Sequence, residues 1–97
     1  MALTGKQRLY LRGLAHHRKP VVTLGASGFT AAVQTEIEQA LNHHELLKIK
    51  ILSGDRQDRH QVLDRICQAT TAEAVQEIGR IAVIYRPATE PRIRLPD

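Results

Sequence analysis

A chain of 97 residues, 42% hydrophobic and 25% charged, has the size and composition of one globular domain with a modest core. No apolar run reaches the ~18–20 residues of a membrane span, and MALTGKQRLY lacks the apolar centre of a secretory signal, so a cytoplasmic protein with no membrane partner is expected. The net charge of +4 is unevenly spread: residues 1–30 hold Lys6, Arg8, Arg12, Arg18 and Lys19 with no acid, and the remainder carries nine Lys/Arg against ten Asp/Glu. A basic field so localised suits a polyanion, though a solvated basic helix would look the same.

Thr4-Gly5-Lys6-Gln7 has the form of a capping box and opens a helix to about His17. Its predicted inner stripe is Leu3, Gln7, Tyr10, Leu11 and Leu14, and Arg8, Arg12 and His16 stack at i, i+4 and i+8 as a basic ridge. Gly13 weakens this helix by about 1 kcal/mol relative to Ala, which suggests close packing there. Pro20 ends the helix, and Val21–Leu24 reads as a strand. It runs into Gly25-Ala26-Ser27-Gly28, after which Thr30 caps a second helix to about His44 with Val33, Ile37, Ala40 and Leu41 on one face.

Leu46–Leu52 alternates, with Leu47, Ile49 and Ile51 on one side and Lys48 and Lys50 on the other. Ser53-Gly54-Asp55 turns the chain into a third helix, about Arg56 to Ala69, buried through Val62, Leu63, Ile66 and Ala69. Glu73–Ile78 and Arg80–Arg86 form a hairpin about Gly79, although Val75 and Ile78 fall on opposite sides of strict alternation. The fold class is α/β: an N-terminal helix, then β-α-β-α-β-β, in a mixed four-stranded sheet. Both crossovers are expected to give parallel pairs. The domain spans 1–87, and Pro87, Pro91 and Pro96 make 88–97 a tail expected to be flexible.

The Gly-x-x-Gly turn between strand and helix brings free backbone N–H groups and a helix dipole to one place, where a phosphate could approach bare backbone. Chain reversal alone could also explain the glycines. Nearby candidates for a basic wall are Lys19, the Arg8/Arg12/His16 ridge, Lys48 and Lys50. No Gly-x-x-x-x-Gly-Lys-Ser/Thr or Gly-x-Gly-x-x-Gly occurs, and Phe29 stands where a nucleophile elbow at Ser27 needs glycine. His16-His17 and His43-His44 are adjacent pairs without metal-ligand spacing. Cys67, the sole cysteine, excludes an internal disulfide and sits in an apolar helical pattern. No cofactor, metal or catalytic constellation emerges. With only Tyr10, Phe29 and Tyr85 as aromatics, RNA binding would rest on backbone and shape more than on stacked bases.

Lys6-Gln7-Arg8, Leu11-Arg12, Ala15-His16, Lys19-Pro20-Val21-Val22, the Gly25–Gly28 loop, His44-Glu45-Leu46 and Ile78-Gly79 occur in an order and spacing that resemble the CRM (chloroplast RNA splicing and ribosome maturation) domain family. The likeness runs from about Leu3 to Pro87 and is strongest to the bacterial stand-alone members. It implies an RNA-binding domain related in fold to the C-terminal domain of translation initiation factor 3. It also implies contact with ribosomal RNA in precursors of the large ribosomal subunit. The family's loop falls on Gly25, Ala26, Ser27 and Gly28, and its basic surface on Lys6, Arg8, Arg12, Lys19, Lys48 and Lys50. Family loops often carry a basic residue between the glycines; the neutral Ala26-Ser27 here shifts weight to the surrounding lysines. A non-enzymatic RNA-binding protein is therefore expected, with a protein-interaction adaptor as the alternative. No sequence pattern fixes the oligomeric state, for which a monomer is the default.

Overall fold

Side-chain caps set where the helices begin. In the computed structural model, which describes residues 2–97, α1 (Gly5–His16) opens with the Gln7 N–H donating to the Thr4 hydroxyl, and the Thr4 N–H to Gln7 Oε1, both at 3.1 Å. Asp55 and Asp58 make the same reciprocal pair ahead of α3 (Arg56–Thr70). The Thr30 hydroxyl accepts from the Val33 N–H at the start of α2 (Ala31–His44). Each satisfies donors that a helix end leaves free.

The strands are β1 (Val22–Leu24), β2 (Leu46–Ile51), β3 (Glu73–Ile78) and β4 (Ile81–Tyr85), in the order β1-β2-β4-β3. The chain is one α/β domain with a mixed four-stranded sheet, as predicted. Among the described residues only β1 and β2 form a parallel pair, because β4 lies antiparallel between β2 and β3. The second expected parallel pair is thus not a neighbouring one. Composition explains the insertion: Ala82–Tyr85 is apolar and buried on both faces, as a central strand must be, whereas Glu73, Gln76 and Glu77 suit an edge. A bulge between Ala74 and Gln76 shifts the alternation within β3, so Val75 and Ile78 share a face after all.

The sheet has a core on each side. Helices α2 and α3 cover one face, where Ile37, Leu41, Leu63 and Ile66 meet Val22, Leu24, Leu47, Ile49, Ile51 and Ile84. On the other face Leu3, Leu11 and Ala15 pack against Leu46, Val75, Val83 and Tyr85. Leu11 is buried as its place in the stripe predicts, but Tyr10, placed there by the same spacing, is 42% exposed, and Ala15 is buried in its stead. Thr70, whose hydroxyl donates to the Ile66 carbonyl at 2.7 Å, replaces Ala69 at the buried end of α3. Nothing lies within 4 Å of a Cβ placed at Gly13, so packing does not require that glycine. Cys67 is half-buried beside the first core, and burial, with Asp64 and Glu73 adding to it, pushes its thiol up to about 11.

Residues 88–97, expected to be flexible, lie along the second core through Ile93 and Leu95. Their anchor is Glu45, whose carboxylate is fully buried. Its Oε2 accepts from the Ala88 N–H at 2.9 Å, and Oε1 accepts from the N–H groups of Arg92 and Ile93 at 2.9 and 3.0 Å. The boundary drawn at residue 87 therefore separates off a segment that completes a buried polar site.

Candidate nucleic-acid interface

The sheet face that carries α1 is only partly covered. Helix α1 lies over β3, β4 and β2, leaving β1 bare: Val21, just ahead of it, and Thr23 are exposed. Beside Thr23 stands Lys50, which pairs with it in register and with Ile81 on the other side. Lys48, two residues earlier on β2, projects from the same face, so the alternation read from Leu46–Leu52 correctly placed both ammonium groups opposite the α2–α3 core.

This open strip leads to the loop at the end of β1. The Gly28 N–H donates to the Gly25 carbonyl at 3.1 Å, closing a tight turn, and the Ser53 hydroxyl donates to the same oxygen at 3.2 Å. Gly28 has φ +70°, so the turn itself favours glycine there. Gly25 differs: its φ is not positive, and an added Cβ would meet nothing within 4 Å. Folding therefore explains one glycine and not the other. Ala26 and Ser27 are exposed at the tip, and α2 begins three residues past the loop, with the Ala31 and Ala32 amides among its first-turn donors. The positive end of the α2 dipole thus lies beside exposed, unbranched backbone.

Of the other predicted residues, His16 reaches the strip. It lines a groove of about 240 Å³ with Lys48, Gln76, Ile78 and Ile81, in which Ile78 is 62% exposed. Arg12 is exposed one turn earlier on α1. Arg8, the third member of the ridge, is half-buried and donates from Nε to the Ala74 carbonyl at 3.2 Å, which ties α1 to the edge strand. Lys6 is exposed in the first turn of α1, where Gln7 bonds to Pro96 in the tail. The ridge thus leads away from the strip, and only its His16 end joins Lys48.

Lys19 faces a second groove, at the start of β1, together with Arg18, His43, His44, Lys48 and Arg92. Arg18, His44 and Arg92 were not among the residues assigned to the interface from the sequence. Arg18 donates from Nη1 to the Leu46 carbonyl at 2.9 Å, and Lys48 donates from Nζ to the Arg18 carbonyl at 2.9 Å. The His44 imidazole has its pKa lowered, first by burial and then by the charges of His43, Arg18 and Arg92. Burial alone would raise the Glu45 carboxyl, but the tail amides of Ala88, Arg92 and Ile93, with the Arg92 charge, hold it below the ordinary range. The adjacency of Arg18 to Lys19 was the one local signal; Arg92 depends on a tail position that only Glu45 determines.

Residues 3–86 match the CRS1 / YhbY (CRM) domain. An RNA-binding protein of Haemophilus influenzae is 50% identical over 94 residues, covering 97% of this chain and 95% of that one. A Pseudomonas aeruginosa protein described as a candidate RNA-binding protein is 40% identical over 95 residues, covering 98% and 91% respectively. The solution structure of a Staphylococcus aureus protein, also described as a candidate RNA binder, superimposes with a TM-score of 0.86. It shares 38% identity and covers 98% of this chain and all of that one.

Proposed function

The chain belongs to the CRS1 / YhbY (CRM) domain family, and we propose that it binds ribosomal RNA backbone through the Gly25–Gly28 loop and its cationic surroundings, assisting assembly of the large ribosomal subunit. The observation that carries this reading is Gly25. Neither backbone conformation nor crowding calls for glycine there, yet it adjoins the end of a bare sheet strip bearing Lys48 and Lys50. A phosphate approaching from solvent is what a side chain at that position would obstruct. The loop amides and the α2 dipole supply short-range contacts, while the lysines supply attraction that extends over about a Debye length, ~8–10 Å.

The names of the relatives support RNA as the partner class. The ribosomal assignment draws on the resemblance to the bacterial stand-alone members of the family. The protein acts as a binding module in the cytoplasm, without catalysis. At neutral pH its cysteine is held as the thiol, which leaves little thiolate for nucleophilic chemistry.

Fluorescence anisotropy with fragments of large-subunit ribosomal RNA tests the reading. Gly25→Glu adds negative charge at the loop without backbone strain, and Gln68→Glu adds it on the exposed side of α3 as a control. The loop variant is expected to lose affinity at least tenfold, and the control less than twofold. Equal effects would remove the loop from the interface. Binding that barely responds to salt would favour an apolar adaptor surface, since phosphate contacts weaken steeply as salt rises.

A further inference from the structure

The second groove lies at the opposite end of β1 from the loop and encloses about 440 Å³. Three separate segments deliver permanent cations to it: Arg18 and Lys19 from the α1–β1 connection, Lys48 from β2, and Arg92 from the tail. The carboxylate lining it, Glu45, is fully buried, engaged by three tail amides and 3.8 Å from the Arg92 Nε. The other source of negative potential is the C-terminal end of α2. There the Arg92 guanidinium donates to the carbonyls of Asn42 and His43. Arg92 thus offsets the negative groups, and Arg18, Lys19 and Lys48 remain as an excess of positive charge in the groove.

The cations are also held in place. Arg18 is fixed on the Leu46 carbonyl and Lys48 on the Arg18 carbonyl, which reduces the ordering cost when an anion arrives. Between this groove and the loop runs the strip bearing Thr23, Lys48 and Lys50. From Val21 to Gly25 is four residues, or about 13 Å of extended chain.

We propose that this groove holds a second phosphate of the bound RNA strand, so that the RNA backbone runs along β1 from the Gly25–Gly28 loop to Arg18, Lys19 and Arg92. The inference rests on the RNA-binding reading and adds a path and a second anchor to it. Guanidinium, ammonium and imidazole donors arriving from several directions match a phosphate, which accepts on several oxygens. Facing His44 are His43 on its own helix, Arg18, Lys19 and Lys48 from the strand side, and Arg92 and Glu45 at the tail. A phosphate among them relieves the positive field on His44 and draws a proton onto it, so binding strengthens as pH falls.

The test is anisotropy of a fluorescent single-stranded ribosomal RNA fragment at several salt concentrations. The samples are wild type, Lys19→Ala, Lys19→Ala/Arg92→Ala, Gly25→Glu and an Arg94→Ala tail control. Thermal melts would accompany each. Lys19 is exposed, so its single variant is informative even if Arg92→Ala loosens the tail.

The single variant is expected to weaken binding about threefold to tenfold, and the double variant beyond tenfold. The double variant should also flatten the slope of log K against log salt by about 0.7, the amount for one single-strand phosphate contact removed. Wild type should bind more tightly at pH 6 than at pH 7.5, and His44→Gln should lose that difference. Unchanged affinity and slope in the Lys19 and Arg92 variants, with binding lost in Gly25→Glu, would overturn the groove and leave the loop standing. Failure of wild type to bind RNA would overturn both. Tighter binding of a polyglutamate peptide, lost in the same variants, would replace RNA by an acidic protein segment.

Discussion

Glu45→Ala should unlatch the C-terminal segment. The wild-type carboxylate accepts three backbone N–H groups at 2.9–3.0 Å from a site with no solvent exposure. Hydrogen bonds to a charged acceptor contribute about 1.5–3 kcal/mol each when measured singly. The sum overstates the loss, because a released tail regains water on its amides. A cost of about 2–4 kcal/mol is therefore expected, lowering Tm by roughly 10–20 °C in a domain this size. Two further variants separate the causes. In Glu45→Gln one oxygen can still take Arg92 and Ile93, but the amide nitrogen then faces the Ala88 N–H, for a cost of about 1–3 kcal/mol. Glu45 also has φ +64°, a region unfavourable for a side-chain-bearing residue, so Glu45→Gly should be about 1 kcal/mol less damaging than Glu45→Ala. The carboxyl is depressed in the folded state, so its contribution is complete above the ordinary value of 4.5 and is lost as pH falls through the lower folded value. Wild type should lose stability over that acidic range, and the Gln variant should lack this component. Urea denaturation from pH 3 to 7, with hydrogen exchange at Ala88, Arg92 and Ile93, measures both effects. Unchanged stability in Glu45→Ala, or fast exchange at those amides in wild type, would refute the latch.

Gly28→Ala should cost about 1 kcal/mol because of its φ of +70°, while Gly25→Ala should leave the melting temperature unchanged; paired thermal melts check the contrast. Leu11→Ala removes a fully buried side chain of the second core and should cost about 2–5 kcal/mol, whereas Tyr10→Ala should cost less than half as much, read from urea midpoints. Alkylation of Cys67 in the native protein should be far slower than that of a free thiol at pH 8, and should accelerate on unfolding.

Elements governed by local chemistry were legible from the sequence. The Thr4/Gln7 cap needs only residues three apart, and the alternation of β2 by itself put Lys48 and Lys50 on one face. Three features were not legible. The position of β4 depends on competition among strands for the sheet centre, which no single strand's pattern encodes. The bulge at Val75 breaks the period on which face assignment relies. Spacing allowed Tyr10 into the α1 stripe beside Leu11, but the face that meets the sheet buries Leu11 and Ala15 and leaves Tyr10 exposed. For the candidate site, alternation put Lys48 and Lys50 on one face of β2, and the structure sets that strand beside β1, which ends in the loop. It could not show that Arg8 is committed to the Ala74 carbonyl, or that a buried glutamate carries Arg92 to the far end of β1. Both are contacts between residues 40 or more apart in the chain.

The most direct measurement is the amide and side-chain chemical-shift map of isotope-labelled protein titrated with a large-subunit ribosomal RNA fragment. The largest changes should fall on Gly25–Gly28, Ala31, Ala32, Thr23, Lys48 and Lys50, forming one continuous track. Changes confined to α3 and the β3 edge, with the loop and the strip silent, would contradict an RNA path along β1.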